Sequence, residues 1–442
     1  MRTTLTADHV LLPDGVLSPG VVRVEDGTIT AADPIGPAGP PAGPDTIRLD
    51  GRILMPGLVN SHTHTPMSLL KGVAEGWSLL TKEGWLNRVR ALEAGLTPSA
   101  IPGAVAVSCA EMIASGTTTF ADQYFFAEEI VPTVVRSGLR AAVAYGIVEL
   151  GDDAAREREL AACSEFLERT TGTGPLVRGW VGPHAFFVDN SEQTIEAELA
   201  LADAHGTGLH AHFATSGEED AWCRETVGTT ALVRMKALGL LDRRVLLAHG
   251  CTVLPEDLPL LADTDVSLVF APNVCMASGA SPPPFREALD QGVTVALGTD
   301  NVCNNGSYDM FAEMRAMGRL ASFVSRVPDA VPARTLLAMA TTAGHRALGT
   351  GPAAGTIVPG APADLIAVAT ADLCRGPVRM QSLESALVYG GSGHAVVDSM
   401  VDGRWLMREH TLLTLDASSS YELRDGDADA LLGAAQARAA AT

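Results

Sequence analysis

Six polar side chains in this 442-residue sequence stand where short apolar segments end, and all six are of types that bind metal ions. They are His62, His64, His210, His212, His249 and Asp300. Imidazole nitrogens together with one carboxylate suit Zn²⁺ or Fe²⁺, and a catalytic site of this type keeps one position open for water. The residue types therefore predict a hydrolytic metal centre, with Zn²⁺ expected and Fe²⁺ as the alternative.

The spacing of these residues indicates which of them share the metal. Side chains alternate along a strand, so that His62 and His64 point to the same side and can bind one ion. His212 and Asp300 close two further apolar segments in the same way. We therefore predict that these four residues are the metal ligands.

Two further histidines are expected to act beside the ligands. A histidine near a metal can hydrogen-bond the hydrolytic water and orient it, and we assign this role to His249. Ligation by His249 or a purely structural role is the alternative. His210 precedes His212 by two residues, and we expect it to support a ligand rather than to bind the ion.

Eight apolar or β-branched segments predict the scaffold that positions these residues. They are GLVNSHTH, GTTTFAD, RAAVAYGI, VRGWVGPHA, GLHAHFA, VLLAHGC, VSLVFAP and VTVALGTD. Apolar character without polar alternation is typical of parallel strands covered on both faces, and helical stretches such as 191–205 separate the segments. We predict an α/β fold with a (β/α)8 TIM-like barrel over residues 56–351, its active site lying at the carboxyl ends of the strands.

Short β-type segments also occur at both ends of the chain. VVRVEDGTITAA and TIRLDGRILM precede residue 56, and GTIVPGAPADLIAVA and HAVVDSMVDGRWLM follow residue 352. Turn-forming residues bound these segments, as expected for short strands. We predict that they pair into a small β-sandwich domain of residues 1–55 and 352–415, and that the Ala-rich end forms a helical tail over 416–442.

The charge balance limits the partners that this chain can have. Lys and Arg number 31 against 52 Asp and Glu, a formal net charge of -21. Such a field repels phosphate backbones and anionic lipid headgroups. The N-terminal stretch MRTTLTADHVLLPDG has no continuous apolar segment of the kind found in secretory signals. We expect a cytoplasmic enzyme without nucleic-acid or membrane partners.

Several motifs, taken in order, resemble the amidohydrolase superfamily. They are PGLVNSHTH, GTTTFAD, HAHF, LAHG, LGTDNVCNNGSYDMFAEMR and the late G-x-I-x-x-G-x-x-ADL. The likeness extends from about residue 5 to 410. It is strongest to the branch of S-adenosylhomocysteine and methylthioadenosine deaminases, triazine hydrolases and cytosine deaminase-like enzymes. It implies the same four metal ligands, with His249 polarising the water.

The lysines bear on the number of metal ions. Some amidohydrolases bridge two metals with a carbamylated lysine at the end of the fourth strand. The lysines of this chain are Lys71, Lys82 and Lys236, and none lies near VRGWVGPHA. The resemblance therefore implies a site with one divalent metal.

Three residues, in addition to Thr215 described below, are candidates for binding the substrate. His184 stands at the end of the fourth strand segment, and in the resembling deaminases this position contacts the substrate ring. Glu93, in WLNRVRALEAGLT, matches the position that hydrogen-bonds ribose hydroxyls. Arg140, in SGLRAAV, is a further candidate for holding a carboxylate or hydroxyl. A structural role is the alternative for each.

The sequence departs from this branch after the fifth strand segment. The branch usually reads H-x-x-E-T there, and its glutamate protonates the ring nitrogen, whereas this chain reads HFATS over 212–216. Thr215 takes the place of the acid, and a hydroxyl with its very high pKa cannot deliver a proton as a carboxylic acid does. Glu218 and Glu219 follow within one turn, and we assign the catalytic role to Glu219 and a substrate contact to Thr215.

These observations predict a metal-dependent hydrolytic deaminase of an amino-substituted N-heterocycle, with a purine nucleoside-type compound favoured. Asp300 and His249 would take the proton of the attacking water, and ammonia would leave. The alternative is a hydrolase that removes a non-amine leaving group or acts on a cyclic amide or imine, because Thr215 is no strong acid. A metal-bearing protein without hydrolysis is a third interpretation. The resemblance also implies a small heterocyclic substrate and a homo-oligomer.

Overall fold

The computed structural model describes residues 2–373 and 383–441, which form two sheets. The strands are β1 (Arg2–Leu12), β2 (Gly15–Leu17), β3 (Gly20–Glu25), β4 (Thr28–Pro34), β5 (Thr46–Pro56), β6 (Leu58–Thr63), β7 (Thr117–Tyr124), β8 (Arg140–Ile147), β9 (Val177–Pro183), β10 (Leu209–Phe213), β11 (Val245–His249), β12 (Val266–Phe270), β13 (Thr294–Leu297), β14 (Leu365–Ala369), β15 (Val396–Val401), β16 (Arg404–Arg408) and β17 (Thr411–Leu412).

The α-helical segments vary from single turns to long helices. They are α1 (Lys82–Gly84), α2 (Arg90–Glu93), α3 (Ile101–Ala114), α4 (Ala127–Ser137), α5 (Asp153–Thr170), α6 (Glu192–His205), α7 (Glu218–Thr226), α8 (Ala231–Ala237), α9 (Pro272–Ala277), α10 (Phe285–Asp290), α11 (Met310–Ser325), α12 (Ala333–Met339), α13 (Thr342–Leu348), α14 (Thr370–Leu373), α15 (Leu383–Ser385) and α16 (Ala417–Ala441).

Strands β6 to β13 form an eight-stranded parallel sheet in which neighbours in the chain are neighbours in space. Its two edges meet at a bridge between Thr63 and Asp300, where the Asp300 backbone N–H donates to the His62 carbonyl at 2.9 Å. This contact joins the first strand to the segment after the last one. The predicted (β/α)8 barrel is thus confirmed.

These strands are apolar because both faces of the sheet are buried. Every residue of β11, β12 and β13 is buried, because helices pack outside the sheet and side chains fill its interior. Two of the long helices begin at capping residues: Ser191 accepts from the Thr194 N–H at the start of α6, and Asp309 accepts from the Phe311 N–H at the start of α11.

The second sheet takes strands from both ends of the chain, in the order β17-β16-β15-β14-β5-β1-β3-β4, with β2 paired to β1. The two ends meet where β5 pairs with β14 in antiparallel register, Pro56 lying opposite Leu365. A separate apolar core lies against this sheet and includes Leu5, Leu54 and Met400, each at most 1% exposed. Since β5 leads directly into β6, this sheet anchors the start of the barrel.

A long insertion between β6 and β7 covers one side of the barrel mouth. It includes the 3-10 helix Thr65–Leu70 and the π-helical turn Trp85–Val89, and it ends in α3, against which α16 packs. Over the described ranges, no single helix is both long and apolar enough to span a membrane. One pair of helical stretches in this insertion, Trp85–Glu93 and Pro98–Ala114, passes that test jointly but is bent by 87°.

Candidate active site

The four predicted ligands converge at the carboxyl ends of the barrel strands. Asp300 Oδ1 lies 3.5 Å from His62 Nε2 and 3.1 Å from His64 Nε2. His212 Nε2 lies 3.2 Å from His64 Nε2. The side chains come from β6, from β10 and from the segments that directly follow β6 and β13, so the barrel brings together residues almost 240 positions apart in sequence.

The hydrogen bonds around this cluster fit a divalent cation at its centre. The Nδ1 atom of His64 lies 2.6 Å from the Gln123 carbonyl, and that of His212 lies 2.9 Å from the His184 carbonyl. Since a carbonyl only accepts, both Nδ1 atoms carry the proton and both Nε2 lone pairs face each other. The buried Nε2 of His62 has no hydrogen-bond partner. Converging lone pairs beside a carboxylate form a donor set that suits a divalent metal.

The protonation states of the cluster agree with this interpretation. Burial lowers the pKa of His62, and it lowers the pKa of His212 well below the usual value, so that both imidazoles are neutral. Burial alone would raise the pKa of Asp300, but the neighbouring imidazoles of His62, His64 and His249 outweigh it and hold that pKa well below its usual value. Neutral imidazole and ionised carboxylate are the forms that bind metals.

His210 lies behind the cluster. Its Nε2 is 2.7 Å from His62 Nδ1, on the side of the His62 ring that faces away from Asp300. A hydrogen bond there sets the tautomer and the ring orientation of His62. This placement matches the supporting role expected from the sequence.

His249 ends β11 beside the cluster, with its Nε2 atom 3.9 Å from Asp300 Oδ2 and its ring stacked on that of His212 at 5.4 Å. Its φ of 82° lies in the left-handed region, as does the φ of 57° at Asp300. Strand alternation therefore no longer sets the side-chain direction at either residue. The 3.9 Å gap leaves room for a water oxygen to contact both groups.

A cavity of about 930 Å³, its solvent mouth included, opens over the cluster. Its wall includes His64, His212, His249 and Asp300. Of the residues predicted to bind substrate or transfer protons, Glu93, His184, Thr215 and Glu219 also line it. The sequence-based candidates thus meet in one place, with a single exception.

Arg140 is that exception, and the predicted substrate contact is wrong for it. The residue begins β8, at the end of the strand opposite to the cavity. Its guanidinium donates to both carboxylate oxygens of Asp364, at 2.9 and 3.2 Å. Asp364 directly precedes β14, so this bidentate pair ties the barrel to the second sheet. Substrates bind at the carboxyl ends of barrel strands, which Arg140 does not reach.

Two cavity residues are held by specific partners. Tyr124 Oη donates to Glu93 Oε1 at 2.6 Å, while the buried Glu93 Oε2 has no hydrogen-bond partner. His184 Nδ1 lies 2.5 Å from Asp189 Oδ2, and the His184 ring stacks on Trp85 with centroids 4.0 Å apart. Glu93 therefore offers a free acceptor to the cavity, and His184 presents a ring fixed in one orientation.

Glu219 folds back from the first turn of α7 toward the end of β10. Gly217, with φ of 87°, turns the chain before the helix, and Glu219 Oε1 accepts from the Ala214 N–H at 3.0 Å. The side chain is buried, and its Oε2 has no hydrogen-bond partner. Burial raises the pKa of this carboxyl to about 7. A group of this kind can carry a proton at neutral pH.

Some supporting residues escaped the sequence analysis. Asp122 accepts from the Thr63 hydroxyl and from both the N–H and the hydroxyl of Thr65, and so fixes the backbone on either side of His64. The Gln123 amide donates to the His210 carbonyl at 2.6 Å. Asp122 and Gln123 close the apolar segment GTTTFAD, so the rule that selected the ligands would also have selected them.

A second buried carboxyl, Glu313 on α11, ties the loops after β12 and β13 together. Its oxygens accept from the Asn273 side chain at 2.9 Å and from the Asn305 side chain at 2.8 Å. The Asn305 side chain also donates to the Thr299 carbonyl, next to Asp300. Burial raises the pKa of Glu313 to about 7. The sequence contains no signal for this role, because Glu313 lies inside an amphipathic helix.

Known enzymes resemble this chain over nearly its whole length. It is 33% identical over 427 residues to a 5'-deoxyadenosine deaminase of Methanothermobacter thermautotrophicus, covering 96% of this chain and 97% of that one. It is 36% identical over 432 residues to a 5-methylthioadenosine/S-adenosylhomocysteine deaminase of Moorella thermoacetica, covering 95% and 98%.

The fold is also found in solved structures. A zinc-bound adenosine deaminase from Xanthomonas campestris superimposes with a TM-score of 0.89 at 28% identity, covering 98% of both chains. An atrazine chlorohydrolase from Arthrobacter aurescens, with a TM-score of 0.85 at 22% identity, covers 96% of this chain and shares the fold. The profile of the amidohydrolase family matches residues 53–406. With the converged histidines and aspartate, these likenesses show that the chain belongs to the amidohydrolase family.

Proposed function

We propose that this protein is a metal-dependent deaminase of adenine-type nucleosides. The observation that carries the proposal is a cluster with two overlapping groups at metal-ligand spacing, His62 with His64 and Asp300, and His62 with His212 and His249. It lies beside a cavity that also holds the buried carboxyl of Glu219. The relatives named 5'-deoxyadenosine deaminase and 5-methylthioadenosine/S-adenosylhomocysteine deaminase support this substrate class. The reaction replaces the exocyclic amine by oxygen, consuming one water and releasing ammonia.

The proposed metal ligands are His62, His64, His212 and Asp300. Zn²⁺ is the proposed ion, because three imidazoles and one carboxylate suit it and the structurally similar adenosine deaminase was solved with zinc. A divalent cation bound here would act as a Lewis acid that makes water more acidic. His210 and the Gln123 and His184 carbonyls keep the ligand rings in the required orientation.

His249 and Asp300 orient the water and receive its proton in this proposal. His249 Nε2 and Asp300 Oδ2 face each other across 3.9 Å, and both line the cavity. A water oxygen between them can be hydrogen-bonded to both, so that its attack on the amine-bearing ring carbon is directed. Asp300 Oδ2 takes up the proton and then returns it to the departing amine.

Glu219 is the proposed proton donor to the ring nitrogen. Addition of water to the ring carbon places negative charge on the neighbouring nitrogen, and a positioned acid neutralises that charge. As ammonia leaves and the ring carbonyl forms, the hydroxyl proton of the adduct returns to the Glu219 carboxylate. Thr215 lies in the cavity wall where the resembling enzymes carry a glutamate, and its hydroxyl is too weak an acid for this step. Glu219 has a free Oε2 and a pKa near neutrality, which supports its assignment.

His184 and Glu93 are proposed to bind the two parts of the nucleoside. The fixed imidazole of His184 can stack on or hydrogen-bond the purine, while the free Oε2 of Glu93 can accept from a ribose hydroxyl. A buried carboxylate oxygen without a partner is costly, and a ligand hydroxyl would satisfy it.

The proposal is tested by incubating the metal-loaded protein with a panel of adenosine derivatives, pterins, pyrimidines and chlorotriazines. Ammonia release, together with conversion of the adenine ring to hypoxanthine by mass spectrometry, is expected for the adenosine derivatives. Release of chloride or alkylamine from triazines, with no ammonia from any adenosine, would instead support the alternative function. That alternative is a hydrolysis that needs no strong acid, as the threonine at position 215 suggests. Turnover of no compound would refute both enzymatic assignments.

A further inference from the structure

The outer wall of the cavity is apolar where a substrate would extend beyond its reacting ring. It includes Leu79, Leu80, Leu86, Phe125, Leu150 and Val188. Within the ranges 2–373 and 383–441, no lysine or arginine is among the residues that line this cavity. Apolar side chains favour ligand groups that lose little hydration on entry, and they disfavour ions.

Leu150 stands at the mouth of this wall in an unusual conformation. Its side chain lines the cavity although the residue is 46% exposed, which places it at the rim. Its φ of 51° lies in the left-handed region, which leucine seldom adopts, and its N–H donates to the Asp189 carbonyl at 2.8 Å. Asp189 is also the partner of His184, so one residue positions both the ring-binding histidine and the rim leucine.

The charged groups nearest to this wall are mainly acidic. Glu93 and Glu218 both line the cavity; Glu93 carries a buried oxygen without a hydrogen-bond partner, and Glu218 is half-buried. Two arginines lie behind this wall. Arg156 is paired with Glu149 and Asp153, and the Arg90 guanidinium lies 4.2 Å over the Phe125 ring and 5.8 Å from the Trp85 ring. Those rings stand between Arg90 and the cavity, since they line it and Arg90 does not.

We propose that the cavity selects nucleosides whose 5' substituent is uncharged and apolar, and that Leu150 is a specificity-determining residue for this choice. The inference rests on the proposed function for its nucleoside substrate. A 5' phosphate or an amino-acid carboxylate would lose hydration against the leucines and would be repelled by Glu93 and Glu218. A methyl or methylthio group would bury apolar surface against the same wall.

Equilibrium binding tests this selectivity without relying on turnover. The probes are 5'-methylthioinosine, S-inosylhomocysteine and inosine 5'-monophosphate, which carry the product ring and are titrated into the metal-loaded protein by calorimetry. The methylthio compound is expected to bind at least about tenfold more tightly than either charged compound, a ratio that corresponds to about 1.4 kcal/mol. Equal or tighter binding of a charged compound overturns the inference, and so does binding of none of the three.

The variant Leu150→Arg tests the specificity-determining residue. It should raise the affinity for inosine 5'-monophosphate relative to the methylthio compound by about tenfold, because a guanidinium at the rim would attract the phosphate. Leu413→Arg is the matched control, since Leu413 is 55% exposed and lies after β17, outside the cavity wall. If Leu150→Arg does not fold, the neutral variant Leu150→Gln replaces it in the test. Leu150→Gln should weaken the binding of 5'-methylthioinosine and leave the binding of the other two probes unchanged.

These outcomes separate the two proposals. If the ranking of affinities is as expected but no adenosine derivative releases ammonia, the proposed reaction is wrong and the selectivity stands. If ammonia is released from adenosine 5'-monophosphate as efficiently as from 5'-deoxyadenosine, the reaction stands and the selectivity is wrong. An unchanged affinity ratio in Leu150→Arg and Leu150→Gln removes Leu150 from the specificity assignment.

Discussion

Replacing Glu219 by glutamine tests the proposed proton donor most directly. The amide has nearly the same shape as the carboxyl, and its carbonyl oxygen can still accept from the Ala214 N–H that Glu219 Oε1 binds at 3.0 Å. The helix start and the end of β10 should therefore remain as they are. What Glu219→Gln removes is an acidic proton next to the reacting ring, so kcat should fall while the metal content stays the same.

The size of the effect follows from the environment of the carboxyl. Burial raises the pKa of Glu219 to about 7, so that about half of the molecules carry its proton at pH 7. Loss of a general acid typically costs about 10²- to 10⁴-fold in rate, and we expect a fall in kcat of this size. Because the protonated form is the active one, kcat of the unmodified enzyme should decline as pH rises through about 7, and the variant should lack that decline.

The assay is the steady-state release of ammonia from 5'-deoxyadenosine between pH 5 and 9, with metal content measured on the same samples. Glu225→Gln is the matched control, because Glu225 lies on the same helix with its side chain exposed to solvent. The reasoning is refuted if Glu219→Gln keeps its full kcat, or if kcat falls while the alkaline decline remains unchanged. In either case another group donates the proton.

The remaining predictions concern the metal and the buried carboxyl between two loops. His62→Ala and Asp300→Asn should each lower the metal content from one equivalent per chain toward zero in elemental analysis; two equivalents in the unmodified protein would contradict the single site. His249→Asn should keep most of the metal but lose most turnover, whereas stoichiometric metal loss would make His249 a ligand. Burial raises the pKa of Glu313 from 4.5 to about 7, so its contribution to stability is complete below pH 4.5 and is lost as pH rises through about 7. Glu313→Gln should remove roughly 3 kcal/mol of this pH dependence in urea unfolding, and an unchanged slope would show that Glu313 is ionised in the folded protein.

The sequence by itself identified the barrel and the residues that meet at its mouth. Parallel strands that are buried on both faces need apolar side chains along their whole length, so polar residues occur mainly at the strand ends. All those ends lie on the same face of a closed barrel. His62, His64, His212 and Asp300 could therefore be grouped without knowledge of any distance. The two sets of β-type segments at the chain ends also pair, as the sequence indicated.

Only the tertiary structure shows where the members of two similar histidine pairs lie. The sequence contains two H-x-H pairs, and both were subject to the same alternation rule. In β6 the pairing register shifts between Asn60 and Thr63, which changes the face that its later residues present. In the second pair, His212 lies beside His64 in the cluster of predicted ligands. His210 instead lies behind His62, with its Nε2 atom 2.7 Å from His62 Nδ1.

The positions of Glu219, Leu150 and Arg140 depend on packing in the same way. The direction of a glutamate side chain six residues beyond a strand end cannot be read from the sequence, and the positive φ of Gly217 turns Glu219 back to the Ala214 N–H. Leu150 stays at the cavity rim because a hydrogen bond to the next loop holds it there. Arg140 pairs with Asp364, a residue 224 positions away, at the opposite end of the barrel. Such contacts between distant segments arise from the closed barrel and its junction with the second sheet, and local sequence carries no information about them.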